Sequence, residues 1–205
     1  MQFPVRTACA ARLWPLLLML LLTLPAVVQA QFYYSDNGDF TITITGYYGF
    51  DDAVDIPDNI DGYAVTGIGS SAFYGHTSLT SVTIPYRVTS IIGSAFFGCT
   101  SLGAIAVDAF NSVFSSVDGV LFNKSQTVLI LCPGGKAGSY TIPNSVTNIG
   151  ASAFQFCTGL FSVTIPNSVT SIGGGAFGYC WSLTTVTIGN SVTASGEVRS
   201  MAAPT

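Results

Sequence analysis

Charge is what this chain has least of. Six Lys and Arg and ten Asp and Glu are spread over 205 residues, with no basic stripe to neutralise phosphates, so a nucleic-acid partner is not expected. Histidine is nearly absent as well. With His76 alone, and no Ser or Cys motif around it, the sequence offers no basis for a catalytic triad or a zinc site, and no cofactor is implied. Beyond residue 30 no apolar run approaches the ~20 residues that a helix needs to cross a bilayer. Ser, Thr, Gly and Asn are abundant instead, and a fold with so little charge keeps its surface wet with hydroxyls and amides.

The long apolar run stands at the N-terminus. Arg6 and Arg12 precede Leu13 to Val28, which only Pro15, Thr23 and Pro25 interrupt, and Val28-Gln29-Ala30 follows the small-residue pattern of a peptidase site. This is the layout of a secretory signal peptide over residues 1–30, with cleavage before Gln31. An uncleaved anchor is the alternative, but the two prolines break the run. Cleavage leaves four basic residues against ten acids, a net charge of −6.

A fixed period dominates the rest. Ala-Phe recurs at 72–73, 95–96, 153–154 and 176–177, so the phenylalanines lie 23, 58 and 23 residues apart, and the middle interval holds one period and a longer unit of 35. Aligned on Ala-Phe, Leu79, Leu102, Leu160 and Leu183 form one column. Val82, Ile105, Val163 and Val186 form a second, and Ile84, Val107, Ile165 and Ile188 a third. The last two columns are two residues apart, the period of a strand with one buried face, which turns the intervening Ser, Thr and Ala outward. Turns such as Ile165-Pro-Asn-Ser168 follow, in which Pro presets the backbone and Asn bonds its own chain two residues on. A second apolar pair comes next (Val65/Ile68, Val88/Ile91, Val146/Ile149, Val169/Ile172), and a Gly-rich segment then leads into Ala-Phe-x-x-Cys, long enough for one turn of α or 3₁₀ helix. One such unit buries too little to fold alone; stacked coils share the cost of ordering.

The period implies a β-rich solenoid of parallel strands joined by short helical turns. Residues 31–64 are expected to supply N-terminal capping strands, led by the alternating Phe40-Thr-Ile-Thr-Ile-Thr45, and residues 65–193 the repeats. The hairpin-bearing unit spans 107–142, with two strands around Asn123-Lys124-Ser125 projecting from the coil. Residues 194–205 read as an irregular tail with no cap, so the last strand is expected to leave an open edge, through a disordered tail or through truncation of a longer array.

These columns resemble the BspA-type leucine-rich repeat family of secreted and surface bacterial proteins, over roughly residues 40–193. The likeness covers Leu-x-x-Val-x-Ile, the Pro-Asn-Ser turn, Ile-Gly, Ala-Phe-x-x-Cys and Ser115-Ser-Val-Asp-Gly-Val-Leu-Phe122; the Asn or Cys that general leucine-rich repeats carry eight residues after the leucine is Ser168 here. The resemblance implies a right-handed leucine-rich repeat superhelix and a role in adhesion or recognition. Ligands in this family are diverse, so it implies no particular binding residue.

Three groups of residues remain to be weighed. His76 occupies the column of Cys99, Cys157 and Cys180, which are expected as buried thiols. Asp51, Asp52, Asp55, Asp58 and Asp61 lack the spacing of a calcium loop and read as a solvated acidic edge. Aromatics stand at variable positions along the turns, and Tyr74, Tyr86, Tyr179 and Trp181 are the candidate recognition surface, since an amphipathic ring can stack on a partner while tolerating water. The function expected is a non-enzymatic secreted or cell-surface interaction or adhesion module with a protein or glycan partner. The alternative is a structural protein whose Ser/Thr rows contact ice or matrix.

Overall fold

The structure is a computed structural model and describes residues 31–195; the expected signal peptide lies outside them, as do the last ten residues of the expected tail. The chain opens with β1 (Phe32–Asp36) and β2 (Thr41–Tyr47), followed by β3 (Ala53–Asp55), β4 (Asn59–Ile60) and β5 (Tyr63–Ile68). Next come β6 (Ser81–Ile84), β7 (Ser90–Ile91) and β8 (Ala104–Val107), then β9 (Phe114–Val117), β10 (Val120–Asn123) and β11 (Val128–Leu131) of the long unit. The remaining coils carry β12 (Ala137–Thr141), β13 (Asn148–Ile149), β14 (Gly159–Ile165), β15 (Ser171–Ile172), β16 (Thr185–Ile188) and β17 (Ala194–Ser195).

The strands stack into a solenoid of about 7 turns. The Leu-x-x-Val-x-Ile strands pair in parallel in the orders β3-β6-β8 and β12-β14-β16, and the Ser-Ile-Gly strands continue as β2-β5-β7 and β11-β13-β15-β17. Register follows the sequence columns. Val82 opposes Ile105 and Ile84 opposes Val107, as Val163 opposes Val186 and Ile165 opposes Ile188. The inward residues of the first three repeats are buried or nearly so, but Val186 is 37% exposed and Ile188 54%, because nothing among the described residues stacks on the last coil. Beside them a cavity of about 140 Å³ opens between Ile172, Phe177 and Leu183.

Four details depart from the sequence reading. The solenoid starts before residue 65: β2 already pairs parallel with β5, and β3 with β6. Gly46-Tyr-Tyr-Gly49 takes the place of Ala-Phe in this first coil, with the Tyr47 N–H donating to the Ala72 carbonyl at 2.8 Å. At the other end, Ala194 and Ser195 are not tail but strand, paired parallel with Ser171 and Ile172. Asn167 does not bond its own backbone two residues on; its Oδ1 accepts from the Asn190 N–H of the next coil at 2.9 Å.

The fourth concerns the long unit. Its hairpin is present, since β10 pairs antiparallel with β11, but it does not project. β10 also pairs with β9 across Asp118-Gly119, both at positive φ (50° and 77°), the two-residue turn that suits strand twist. Val120, Leu121 and Phe122 are fully buried: Leu121 belongs to the core of the N-terminal half, Val120 and Phe122 to that of the C-terminal half. The strand is thus inserted between two cores, one on each face. Asn111, also fully buried, anchors the unit, donating through Nδ2 to the Pro85 and Val88 carbonyls and accepting through Oδ1 from the Val113 and Phe114 N–H groups, all at 2.7–2.9 Å.

Candidate functional site

The Ala-Phe segments are turns and not helices. Alternate N–H groups close local bonds, such as Tyr74 to Ser71 and His76 to Phe73, while those between them reach the next coil, Phe73 to Ala95 and Gly75 to Phe97. A helix would need every N–H locally. Left-handed residues break any helical run further: Ser71 (φ 60°), Gly75 (73°), Ser152 (56°), Phe156 (63°), Gly175 (64°) and Tyr179 (59°). Inside the turns the phenylalanines stack, Phe73 on Phe96 at 5.0 Å and Phe154 on Phe177 at 4.9 Å.

Cross-coil bonding also accounts for the Cys column. The Cys99 thiol donates to the Phe73 carbonyl and the Cys180 thiol to that of Phe154, each at 2.9 Å. Cys157 points at the Cys132 and Pro133 carbonyls at 3.5 Å. His76 does the same work in the first repeat, its Nε2 lying 2.8 Å from the Tyr47 carbonyl. A carbonyl only accepts, so Nε2 carries the proton. Each of these groups caps a turn of the preceding coil. Cys99, Cys132, Cys157 and Cys180 are buried free thiols. Burial pushes Cys99 and Cys180 up to about 11, and a hydrogen bond with Cys132 together with burial raises Cys157 well above the thiol range. Cys99, Cys157 and Cys180 are therefore not poised as nucleophiles.

Outside the turns runs a row of aromatic rings. Tyr74 stacks on Phe97 (5.6 Å, 9°), Phe97 meets Phe156 edge to face (4.6 Å, 77°), Phe156 stacks on Tyr179 (4.6 Å, 3°) and Tyr179 meets Trp181 edge to face (6.1 Å, 87°). Tyr74, Tyr179 and Trp181 are 62%, 40% and 59% exposed. The row therefore unites three of the four candidates with two phenylalanines. Tyr86 is apart from it: 38% exposed on the proline turn, it packs under the Arg87 guanidinium at 5.1 Å. At the N-terminal end Tyr48, in the same column as Tyr74, contacts Tyr33 at 4.8 Å, an exposed pair that the sequence reading missed because Gly-Tyr-Tyr-Gly shares no residue with Ala-Phe.

How the row closes was hidden from the sequence. The aromatic follows Ala-Phe directly in the first two repeats (Tyr74, Phe97) but one place later in the last two (Phe156, Tyr179), where the earlier repeats have Gly75 and Gly98. Phe156 and Tyr179 adopt the left-handed backbone of those glycines, and that returns their rings to the same row at a cost of ~1–2 kcal/mol each. Between Phe97 and Phe156 the long unit interposes Pro133-Gly134-Gly135, and a Cβ on Gly134 or Gly135 would collide with the Cys99 or Ser101 backbone (2.9 and 2.5 Å).

The acidic edge and the hydroxyl rows carry less. Asp51, Asp52, Asp55 and Asp61 are exposed, with Asp61 accepting from the Tyr34 hydroxyl at 2.6 Å and Asp51 from that of Tyr47 at 3.1 Å. The outward strand rows are discontinuous: Ala104 and Ala106 stand opposite Ser81 and Thr83. No helix among the described residues is long and apolar enough to cross a membrane.

The repeat found in the fold is also found by comparison. The model of the BspA-type leucine-rich repeat region, in six copies, matches residues 43–133 and 134–198. The chain belongs to the BspA-type leucine-rich repeat family. The BspA-type match takes in the long unit and the aromatic row from Tyr48 to Trp181. Among solved structures, the pneumococcal vaccine antigen PcpA is similar at 25% identity and a TM-score of 0.58, over 68% of this chain and 40% of that one. A Treponema pallidum leucine-rich repeat protein is 31% identical over 82% of this chain and 62% of its own length, with a TM-score of 0.43. A leucine-rich cell surface protein of Faecalibacterium prausnitzii is 21% identical, covering 80% and 76%, with a TM-score of 0.44. The chain spans less than two thirds of the length of the first two. No curated protein matches it.

Proposed function

We propose that this BspA-type solenoid is a non-enzymatic interaction module, exported by the leader at residues 1–30 and displayed or secreted, that binds a protein or glycan partner through its aromatic row. One observation carries the reading: exposed Tyr74, Tyr179 and Trp181 and half-buried Phe97 and Phe156 are gathered into a single row, Phe156 and Tyr179 at positive φ where glycine is the unstrained choice. Strain of this kind persists where the surrounding structure enforces it, and it clusters at functional sites. Membership of the family and the likeness in fold to a pneumococcal vaccine antigen support a recognition role.

The test is a panel of immobilised extracellular-matrix proteins and glycans, probed with the chain and with Tyr179→Gly and Trp181→Ala. Saturable binding that falls at least tenfold in both variants is expected. Tyr86→Ser, off the row, should bind as the parent does. Binding that ignores both row variants would sink the reading.

A further inference from the structure

Resting on the reading that the row is the recognition surface, we propose that its ligand is a neutral glycan chain laid along the coils, with Trp181 as the principal stacking platform. The first argument is charge. The four turn segments that build the row, residues 69–80, 92–103, 150–161 and 173–184, contain no Asp, Glu, Lys or Arg. Lys136, near the long unit's turn, is engaged elsewhere: its Nζ donates to the Asp118 carbonyl and lies over the Tyr140 ring. A partner recognised by ion pairs finds nothing to pair with here.

The second argument is what stands beside the rings. The residue after each Cys or His is Thr77, Thr100 and Thr158 in the first three repeats and Trp181 in the last. Thr77 and Thr100 are exposed and Thr158 half-buried, so a line of hydroxyls runs parallel to the line of rings, and Trp181 ends it. The Ser70 and Ser94 hydroxyls, paired at 2.9 Å across coils, add polar groups ahead of the turns. Hydroxyls and rings recurring along the array, in two coils on either side of the long unit's Pro133-Gly134-Gly135, match a polymer that presents hydroxyls and apolar C–H faces repeatedly along its length.

The third argument is which ring faces are free. Tyr74 against Phe97 and Phe156 against Tyr179 are nearly parallel stacks, so within each pair one ring covers a face of the other. The two ends of the row are the open ones: Tyr74 and Trp181 each have a single ring contact and are 62% and 59% exposed, and of the two the indole offers the larger apolar face. A pyranose face seated on that indole leaves the rest of the chain to run along the threonines, exchanging hydrogen bonds with uncharged groups.

Affinity electrophoresis through gels containing a neutral polysaccharide (β-glucan, mannan or xylan in turn) tests the proposal, with polyanionic alginate and a blank gel for comparison. Retardation by at least one neutral polymer is expected, unchanged on raising the salt tenfold, reduced at least tenfold in apparent affinity by Trp181→Ala and by Tyr179→Gly, and kept by Tyr86→Ser. Thermal melts of the variants check folding; Tyr179→Gly places glycine where two other repeats already have it. No retardation by any neutral polymer, alongside row-dependent binding to a matrix protein, overturns the neutral glycan and leaves the row as a protein site. Retardation that is equal in the row variants overturns the row itself. Retardation by alginate alone, lost with salt, overturns the charge argument.

Discussion

At the scale of the residue, the Cys column shows how a position can be legible as a pattern and opaque in its purpose. The spacing placed His76 and three cysteines in one column, and the structure gives them a common task, donating a hydrogen bond to a carbonyl of the coil before. A thiol is a weak donor, and burial makes it useful by keeping it protonated. The consequence is measurable. An unfolded thiol ionises near 9, whereas Cys99 and Cys180 hold their protons to about 11. The unfolded chain therefore sheds protons first as pH rises. Their contribution to stability is complete below about 9 and is lost progressively towards 11. Tyr47, pushed up to about 12 by burial and by its bond to Asp51, adds to the same slope from about 10 upward. The melting temperature should be level from pH 7 to 8.5 and fall steeply beyond 9; a flat profile to pH 11 would mean that the thiols are bridged or hydrated. The left-handed backbone of Phe156 and Tyr179 is the other residue-scale feature, and no sequence rule reaches it. Aromatic side chains rarely adopt positive φ, so the sequence scatters the row over two columns and only the backbone reunites it.

At the scale of the element, strands with a repeat partner were legible and the inserted one was not. Val82, Val163 and their columns announce themselves by recurring, whereas β10 occurs once. Its sequence still carries a sign: Val120-Leu121-Phe122 is a continuous apolar run, the mark of a strand buried on both faces, where a projecting hairpin would alternate. Asp118-Gly119 was likewise a turn signal standing in plain view. Because Leu121 faces one core and Phe122 the other, Phe122→Ala should cost ~3–5 kcal/mol and Leu121→Ala ~2–5 kcal/mol, as deep core truncations do. Denaturant midpoints of the two variants check this. Losses within ~0.5 kcal/mol would place the hairpin at the surface after all. The expected helical turns failed for a different reason: in the turns around Phe73 and Phe154 alternate N–H groups are committed to the next coil, a demand that local propensity cannot reveal.

At the scale of the whole molecule, the described solenoid has unlike ends. The first coil is covered by the antiparallel β1, but β16 carries exposed Val186 and Ile188 along an edge that has no partner among the described residues. Unpaired edges over apolar surface invite strand pairing between molecules. Sedimentation of the chain should depend on concentration, and Val186→Lys with Ile188→Lys should abolish that dependence with little change in melting temperature. Sedimentation that is independent of concentration up to about 100 μM would show the edge to be covered.

The carbonyl-capping column also sets a rule for how such a gene can change. Since the groups that satisfy the turns at Tyr47, Phe73, Cys132 and Phe154 come from the following coil, these coils are incomplete without their successors, and the smallest unit that can be lost or gained there without orphaning a buried carbonyl is one full period. Removing residues 154–176 would splice Ala153 to Phe177 and hand the capping role of Cys157 to Cys180, so every column closes again, whereas a deletion one residue shorter or longer shifts each later ring and thiol out of line. In the coding sequence that is a step of 69 nucleotides. Arrays of this kind are free to grow and shrink by recombination between repeats, and only in whole steps.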